Sequence, residues 1–308
     1  MRLNKYRARK QAVARRVNRL LTRAALYQLS TFNSERKNFM KRIALILAFS
    51  LFAAFPTAAQ EKPKADAQEK PKVDAPKADA SKTDAKAAAL PSADEILEKY
   101  IKALGGKEAI EKTTSRSAKG TFEIEAMSMT GTVESYQKAP NKFASLFTIP
   151  GAGGGGQVFD GAKGWDSNPM SGLRELSGEE LATLKREADF HQPLNFKKHF
   201  PKMEVKGKET VGKFETYILI ATPTEGGPEK LYFDIATGLL VRQDAERESA
   251  QGKMAIEEHF DDYKDVGGVK IPHSIKQVIP MFVITVKITE VKNNVEIDEA
   301  KFNKPSGN

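Results

Sequence analysis

Residues 151–156 satisfy the G-x-G-x-x-G pattern of dinucleotide-binding loops. In such loops a helix must follow directly, because its N-terminus holds the pyrophosphate. Here a strand-like stretch and a turn follow instead, in residues 157–161. No Gly-Lys-Ser/Thr closes the run, so a Walker phosphate loop is excluded as well. We interpret the glycine run as a flexible connection between strands.

Glu257, His259 and Asp261 alternate along a sequence with strand periodicity, so all three side chains can project from one face. Carboxylate and imidazole ligands at this spacing could hold a divalent ion, although steps of roughly 6.6 Å are wide for one centre. The alternative is an outer strand face in contact with solvent, opposite the apolar Ile256 and Phe260. We favour this alternative and expect no metal site.

The remaining candidates for catalysis are weak. His191 and His199 flank Phe196 without an i,i+4 pairing and without carboxylates at zinc-site spacing. No serine lies in a nucleophile elbow, and the chain has no cysteine, which excludes disulfides and thiolate metal sites. An enzymatic site could be assembled only from the three alternating residues or the nearby His273. We therefore expect no catalytic residue and no cofactor.

The stronger signal is the amount of apolar surface in aromatic and methionine side chains, many of them near loops. Most of these side chains could form an ordinary core. They could also line an apolar cavity covered by helices that shift to admit acyl chains, since such side chains suit adaptable surfaces. The predicted cavity and lid residues are Phe122, Phe147, Trp165, Phe190, Phe196, Phe200, Phe233, Phe282 and Ile284.

The distribution of charge argues against a nucleic-acid binder. The formal net charge is +9 over 308 residues, but residues 1–42 contain thirteen Lys and Arg and one acidic residue. The remaining chain has 36 basic and 39 acidic residues, a net charge of −3. It therefore offers no excess of positive charge to follow a phosphate backbone.

Residues 40–59 have the order of a secretory signal peptide: Met40-Lys41-Arg42, an apolar run, then small residues. The run is shorter than the roughly 20 residues of a membrane span. We predict cleavage after Ala59 and a periplasmic protein with no membrane span after cleavage; an uncleaved signal anchor is the alternative. Residues 1–39 form a basic extension. We expect translation to begin at Met40; otherwise this extension is a transit peptide or a cytoplasmic segment lost with the signal.

Residues 60–90 contain two copies of Gln-Glu-Lys-Pro-Lys-x-Asp-Ala followed by decaying copies. The segment has almost no large apolar residue, so it cannot bury enough surface to offset its ordering entropy. We predict a disordered linker that tethers the following domain.

The rest of the chain, about 215 residues, is long enough for one domain with a sizeable core. Ser92 with Glu95 and Ser177 with Glu180 predict capping boxes at the starts of two helices, the second running to about Asp189. Apolar residues with a period of two predict about ten strands, connected mainly as an antiparallel meander. We predict an α+β, mainly antiparallel fold: a single open, unclosed curved β-barrel with helices covering its concave side, and a monomer.

Five stretches in order resemble bacterial outer-membrane lipoprotein-sorting proteins of the LolA/LolB kind. They read ADEILEKYIKALGGKEAIEK from residue 93, FDGAKGW from 159, KLYFDIATGL from 230, FDDYKDVGGVKIPHSI from 260 and IDEAKFNKP from 297. The resemblance covers nearly all of residues 92–305. In the stretch from residue 159, Gly161 and Gly164 permit a turn, and Trp165 has a structural role in packing.

The resemblance implies an open β-barrel with helices in its mouth and binding of lipoprotein acyl chains or another lipid in the periplasm. The chain would act as a carrier or chaperone, without covalent chemistry. No residue-level site transfers with it. The alternative is a structural or interaction module, tethered by the linker to an envelope protein partner and without a ligand cavity.

Overall fold

A computed structural model describes residues 89–169, 171–249 and 252–306. The predicted extension, signal peptide and nearly all of the predicted linker lie outside these residues. Within the described part, no helix is both long and apolar enough to cross a membrane.

The described residues form four α-helices, two short 3₁₀ helices (Glu125–Met127 and Glu299–Phe302) and thirteen strands. The helices are α1 Ala93–Ala103, α2 Lys107–Lys112, α3 Gly178–Glu187 and α4 Phe196–His199. The strands are β1 Ser115–Ile124, β2 Met129–Lys138, β3 Lys142–Ile149, β4 Gly153–Phe159, β5 Gly164–Asn168, β6 Gly172–Glu175, β7 Lys202–Val211, β8 Phe214–Thr222, β9 Glu229–Asp234, β10 Leu240–Arg247, β11 Met254–Val266, β12 Val269–Ile279 and β13 Phe282–Asn293.

All thirteen strands belong to one antiparallel sheet with the order β6-β5-β4-β3-β2-β1-β13-β12-β11-β10-β9-β8-β7. Two meanders, β1–β6 and β7–β13, join through the pairing of the first strand with the last. The edge strands β6 and β7 do not pair with each other in the described structure, so the sheet is not closed. The predicted fold class, an open, mainly antiparallel barrel with few helices, is confirmed.

The inner face of the sheet, defined here as the face that α1 covers, contains the main core. Phe122, Val286, Ile275 and Phe260 form one row across four neighbouring strands, and all four are buried. From α1, Tyr100 packs edge-to-face on Phe233 with ring centroids 5.2 Å apart. The period-two sequence pattern therefore predicted correctly that these strand side chains lie on the inner face.

The glycine run is a strand and not the flexible connection that we predicted. Gly153–Phe159 pairs with β3 on one side, and its second half pairs with β5 on the other. Glycine has a poor intrinsic strand propensity, but close approach of the neighbouring backbone requires it here. A Cβ on Gly155 would lie 2.2 Å from the carbonyl oxygen of Ser167. Long-range pairing thus overrides the local preference.

One of the two predicted capping boxes forms. The backbone N–H of Glu95 donates to Ser92 Oγ at 3.2 Å, and Ser92 N–H donates to Glu95 Oε2 at 2.7 Å. The second prediction is wrong, because Ser177 makes no capping bond from its side chain. Glu180 instead accepts two hydrogen bonds from Arg174, at 2.6 and 2.7 Å. A charged, two-pronged partner from β6 outcompetes the local cap.

Gly105 connects the end of α1 to the β11–β12 turn and provides a test of this packing. Its φ is +125°, and a Cβ there would lie 1.9 Å from the carbonyl oxygen of Gly268. The neighbouring Gly106 also has a positive φ, +87°, but a Cβ there would meet nothing within 4 Å. Gly106→Ala should cost about 1–2 kcal/mol from backbone strain, whereas Gly105→Ala should cost roughly 4 kcal/mol or more, because a backbone carbonyl must move. Urea unfolding of both variants measures the difference, and equal losses would contradict the described contact.

Candidate functional site

A cavity of about 140 Å³ lies between the inner face of the sheet and the helices. It is bounded by α1, α2 and the segment that follows α3. Its apolar wall consists of Tyr100, Leu104, Ile110, Phe196, Leu231, Leu240, Phe260, Val269 and Ile271. These side chains come from three helices and four strands, so the cavity exists only in the assembled fold.

The polar part of the cavity lining, called here the polar wall, contains Arg116, Gln137, Gln192 and Gln243 together with the acids Glu187 and Asp189. Arg116 and Gln137 are register partners on β1 and β2. Arg116 donates from Nε to Asn293 Oδ1 at 2.8 Å, and its guanidinium lies 5.6 Å from the centre of the Phe190 ring. Burial lowers the pKa of Arg116 to about 10, which leaves it charged at neutral pH.

The cavity is closed on one side by residues 188–200, called here the covering segment. Asp189 organises it by accepting hydrogen bonds from His199 Nε2 at 2.6 Å and from Asn195 Nδ2 at 2.8 Å. Burial alone would raise the pKa of Asp189, but the hydrogen bonds from these two side chains give a net lowering. The carboxylate therefore stays ionised and holds the segment in its turn-rich conformation.

The covering segment is attached to the rest of the domain by a few polar contacts and two aromatic anchors. Phe190 N–H donates to Pro140 O at 3.0 Å, and His191 Nε2 lies 2.9 Å from Thr113 O. Phe196 and Phe200, with ring centroids 4.9 Å apart, are buried against the main core. The side chains of His191 and His199 thus have different partners, Thr113 O and Asp189.

Next to the apolar row of the inner face lies a row of buried polar side chains. Gln243, Glu258 and Gln277 are register partners on β10, β11 and β12. Gln277 Nε2 donates to Glu258 Oε1 at 2.6 Å. Close to this row, Glu187 of α3 pairs with Arg247 of β10 at 3.4 Å, and both side chains are at most 5 % exposed. This pair connects the helix to the sheet.

Glu229, at the start of β9, is fully buried. Neither of its carboxylate oxygens has a hydrogen bond of standard geometry. Burial raises its pKa well above the ordinary value, while Arg186 and Arg247 act in the opposite direction. The protonated form of Glu229 is thereby favoured in the folded protein.

The structure brings seven of the nine predicted cavity residues into the main core: Phe122, Phe147, Phe196, Phe200, Phe233, Phe282 and Ile284. One of these seven, Phe196, also lines the cavity. Phe190, another of the nine predicted residues, lines the cavity from the covering segment. Trp165 lies apart, because it pairs with Val158 on the outer face and packs against Ile297 and Phe302. Its side chain is on the side of the sheet opposite the cavity.

The alternating residues on β11 do not gather around a centre. His259 Nε2 lies 2.5 Å from Glu257 Oε1, and Asp261 faces Lys213 at 3.7 Å. His273 is buried with Nδ1 2.9 Å from Ile271 O. Over residues 89–169, 171–249 and 252–306, no group of three or more His, Asp or Glu is placed to hold a metal ion.

Sequence reasoning missed the polar wall, although a signal was present. Arg116 is in phase with the inner-facing Ala118 and Phe122, and Glu258 lies between Ile256 and Phe260 on the same face. A polar side chain in phase with an apolar strand face is unusual, because its burial is costly without a partner. Such positions are the ones to examine first in a sheet of this kind.

Comparisons with known proteins leave the family open. No protein-family model and no curated protein matches the chain. Among solved structures it is similar to a DUF1329 family protein from Desulfovibrio piger, with 12 % identity over 68 % of this chain and 96 % of the other, at a TM-score of 0.48. It is also similar to a LolA superfamily protein from Nitrosomonas europaea, with 15 % identity over 70 % and 99 % of the two chains, at a TM-score of 0.46. These values are too low to assign a ligand or a function to this chain.

The buried polar row predicts a defined pH dependence of stability. Burial, the largest effect, raises the pKa of Glu258 from 4.5 to about 7, with Glu187 acting in the same direction and Arg247 and Gln277 opposing it. The folded protein therefore holds this proton more tightly than the unfolded chain. The resulting stability is fully present below pH 4.5 and is lost as the pH rises through about 7.

Glu258→Gln should remove this loss while keeping an oxygen acceptor for Gln277. Between pH 4.5 and 8, the variant should gain on the order of 3 kcal/mol relative to the wild type. Urea unfolding across this range measures the effect, with the exposed Glu123→Gln as control. If the free energy of unfolding changed with pH in the same way in the wild type and in Glu258→Gln, the Glu258 carboxyl group would not titrate as described.

Proposed function

We propose that this domain binds a lipid, or the acyl chains of a lipoprotein, in the cavity beneath the covering segment. It acts as a carrier or chaperone and performs no covalent chemistry. The observation that supports this proposal most is the position of a cavity with an apolar wall between an open sheet and a helical cover. Each CH₂ group moved from water into such a site contributes about 0.8 kcal/mol.

The size of the cavity indicates how cargo would enter. At about 140 Å³, it is smaller than the roughly 300–1,000 Å³ of usual ligand pockets. An acyl chain therefore requires outward movement of the covering segment. The hydrogen bonds of this segment and the exposed ion pair between Lys197 and Asp94 at 2.8 Å are individually weak. The buried Phe196 and Phe200 hold it more firmly, so their burial opposes the opening.

We further propose that the protein works in the periplasm, delivered there by residues 40–59 and tethered by residues 60–90. The sequence order of the signal and the composition of the linker support this location. An interaction module with an envelope protein partner is the second candidate function, and the small volume of the cavity favours it. The two candidates differ in one respect, which is whether an amphiphile occupies the domain.

Native mass spectrometry with lipid extraction tests the proposal on protein purified from a bacterial periplasm. We expect a copurifying lipid or acyl species. Ile110→Phe, which adds volume from α2 into the cavity, should greatly reduce its occupancy, at an overpacking cost of about 1–3 kcal/mol. Met281→Phe, at a residue 56 % exposed, is the matched control and should retain the lipid. A wild-type protein that is free of lipid and does not bind added phospholipid or lipopeptide would favour the interaction module.

The location can be tested separately. N-terminal sequencing of the protein from the periplasmic fraction should give Gln60 as the first residue, because Ala59 ends the run of small residues before the linker. Replacing Ala59 by a bulky residue should slow processing. A protein that keeps residues 40–59 and sediments with the inner membrane would contradict cleavage and support a signal anchor.

A further inference from the structure

Arg116 is a cation at the polar end of the cavity without a carboxylate partner among the residues that the structure describes. Its Nε donates to the neutral Asn293, and its guanidinium lies over the ring of Phe190. The two terminal nitrogens have no acceptor in residues 89–306 as described, and Arg116 borders the cavity. A guanidinium presents paired N–H donors in a fork that matches carboxylate and phosphate oxygens.

The other charges around the cavity leave this positive charge uncompensated. The two acids on the same wall already have partners: Glu187 pairs with Arg247, and Asp189 accepts from His199. Of the charged groups on this wall, Glu187 is therefore ion-paired and Asp189 is hydrogen-bonded, whereas Arg116 has no carboxylate partner in the described structure.

The rest of the lining of the same cavity is apolar, with Tyr100, Leu231 and Phe260 among its residues. A ligand that satisfies both walls has an alkyl chain and one anionic group. We propose that the cavity takes an anionic amphiphile, whose carboxylate or phosphate group pairs with Arg116 while its chain lies against the apolar wall. This inference rests on the function proposed above and specifies the class of ligand.

Calorimetric titration of the exported protein, purified from the bacterial envelope and stripped of lipid, tests the inference. The probes are decanoate, decyl phosphate and decanol, which share a chain and differ in the headgroup. Both anions should bind about 10- to 100-fold more tightly than decanol, as expected for hydrogen bonds to charged groups. Added salt should reduce this preference. The ratio between the two anions tells whether the site favours a carboxylate or a phosphate.

Arg116→Gln should lower the affinity for both anions to about that for decanol, whereas Arg116→Lys should retain part of the preference. Lys119→Gln, an exposed position on the same strand, is the control, and circular dichroism checks that each variant folds. Equal wild-type affinity for decanoate and decanol would overturn the headgroup site but leave lipid binding intact. An equal loss for all three probes in Arg116→Gln would mean that Arg116 only supports Phe190. Binding of none of the probes by the wild type would overturn the proposed function as well.

Discussion

The open edge of the sheet is the constraint on which the rest of this structure depends. Thirteen strands curve around one apolar face, but β6 and β7 do not pair with each other in the described structure. The sheet therefore cannot enclose its own inner face, and helices have to cover it. α1 does so through buried Ile96, Leu97 and Tyr100, and residues 188–200 cover the remaining part. A cavity remains beneath this layer.

Charge is distributed unevenly under this cover. The apolar row through Phe122 and Phe260 lies beside a polar row that contains Glu258, and α3 is connected to the sheet by a buried ion pair. Buried charges are costly unless they are paired, and most of those around the cavity are paired. Arg116 is the exception on the polar wall, and burial without a countercharge lowers its pKa. The proposal of an anionic amphiphile as ligand rests on this combination of an apolar wall with one cation that has no carboxylate partner in the described structure.

Local and periodic features of the sequence were sufficient to predict much of the fold. The Ser92 capping box depends on residues three positions apart, and the period-two pattern alone predicts the strands that form the main core. The predictions failed where distant residues decide the outcome. Ser177 and Glu180 form no capping box, and the Glu180 carboxylate is bound by Arg174 instead. The glycine strand forms because it pairs with the strands on both sides. Trp165 lies on the outer face because strand register, which composition does not reveal, sets its direction.

Photo-crosslinking tests the central claim, occupation of the cavity by an alkyl chain, most directly. The protein would be labelled with a fatty acid that has a diazirine at the end of its chain, and the modified residues located by peptide mass spectrometry. The account predicts adducts on the inner wall, at Tyr100, Leu231 or Phe260, and their loss when unlabelled fatty acid is added in excess. Adducts confined to the outer face, for example at Trp165, or adducts that excess fatty acid does not reduce, would contradict it.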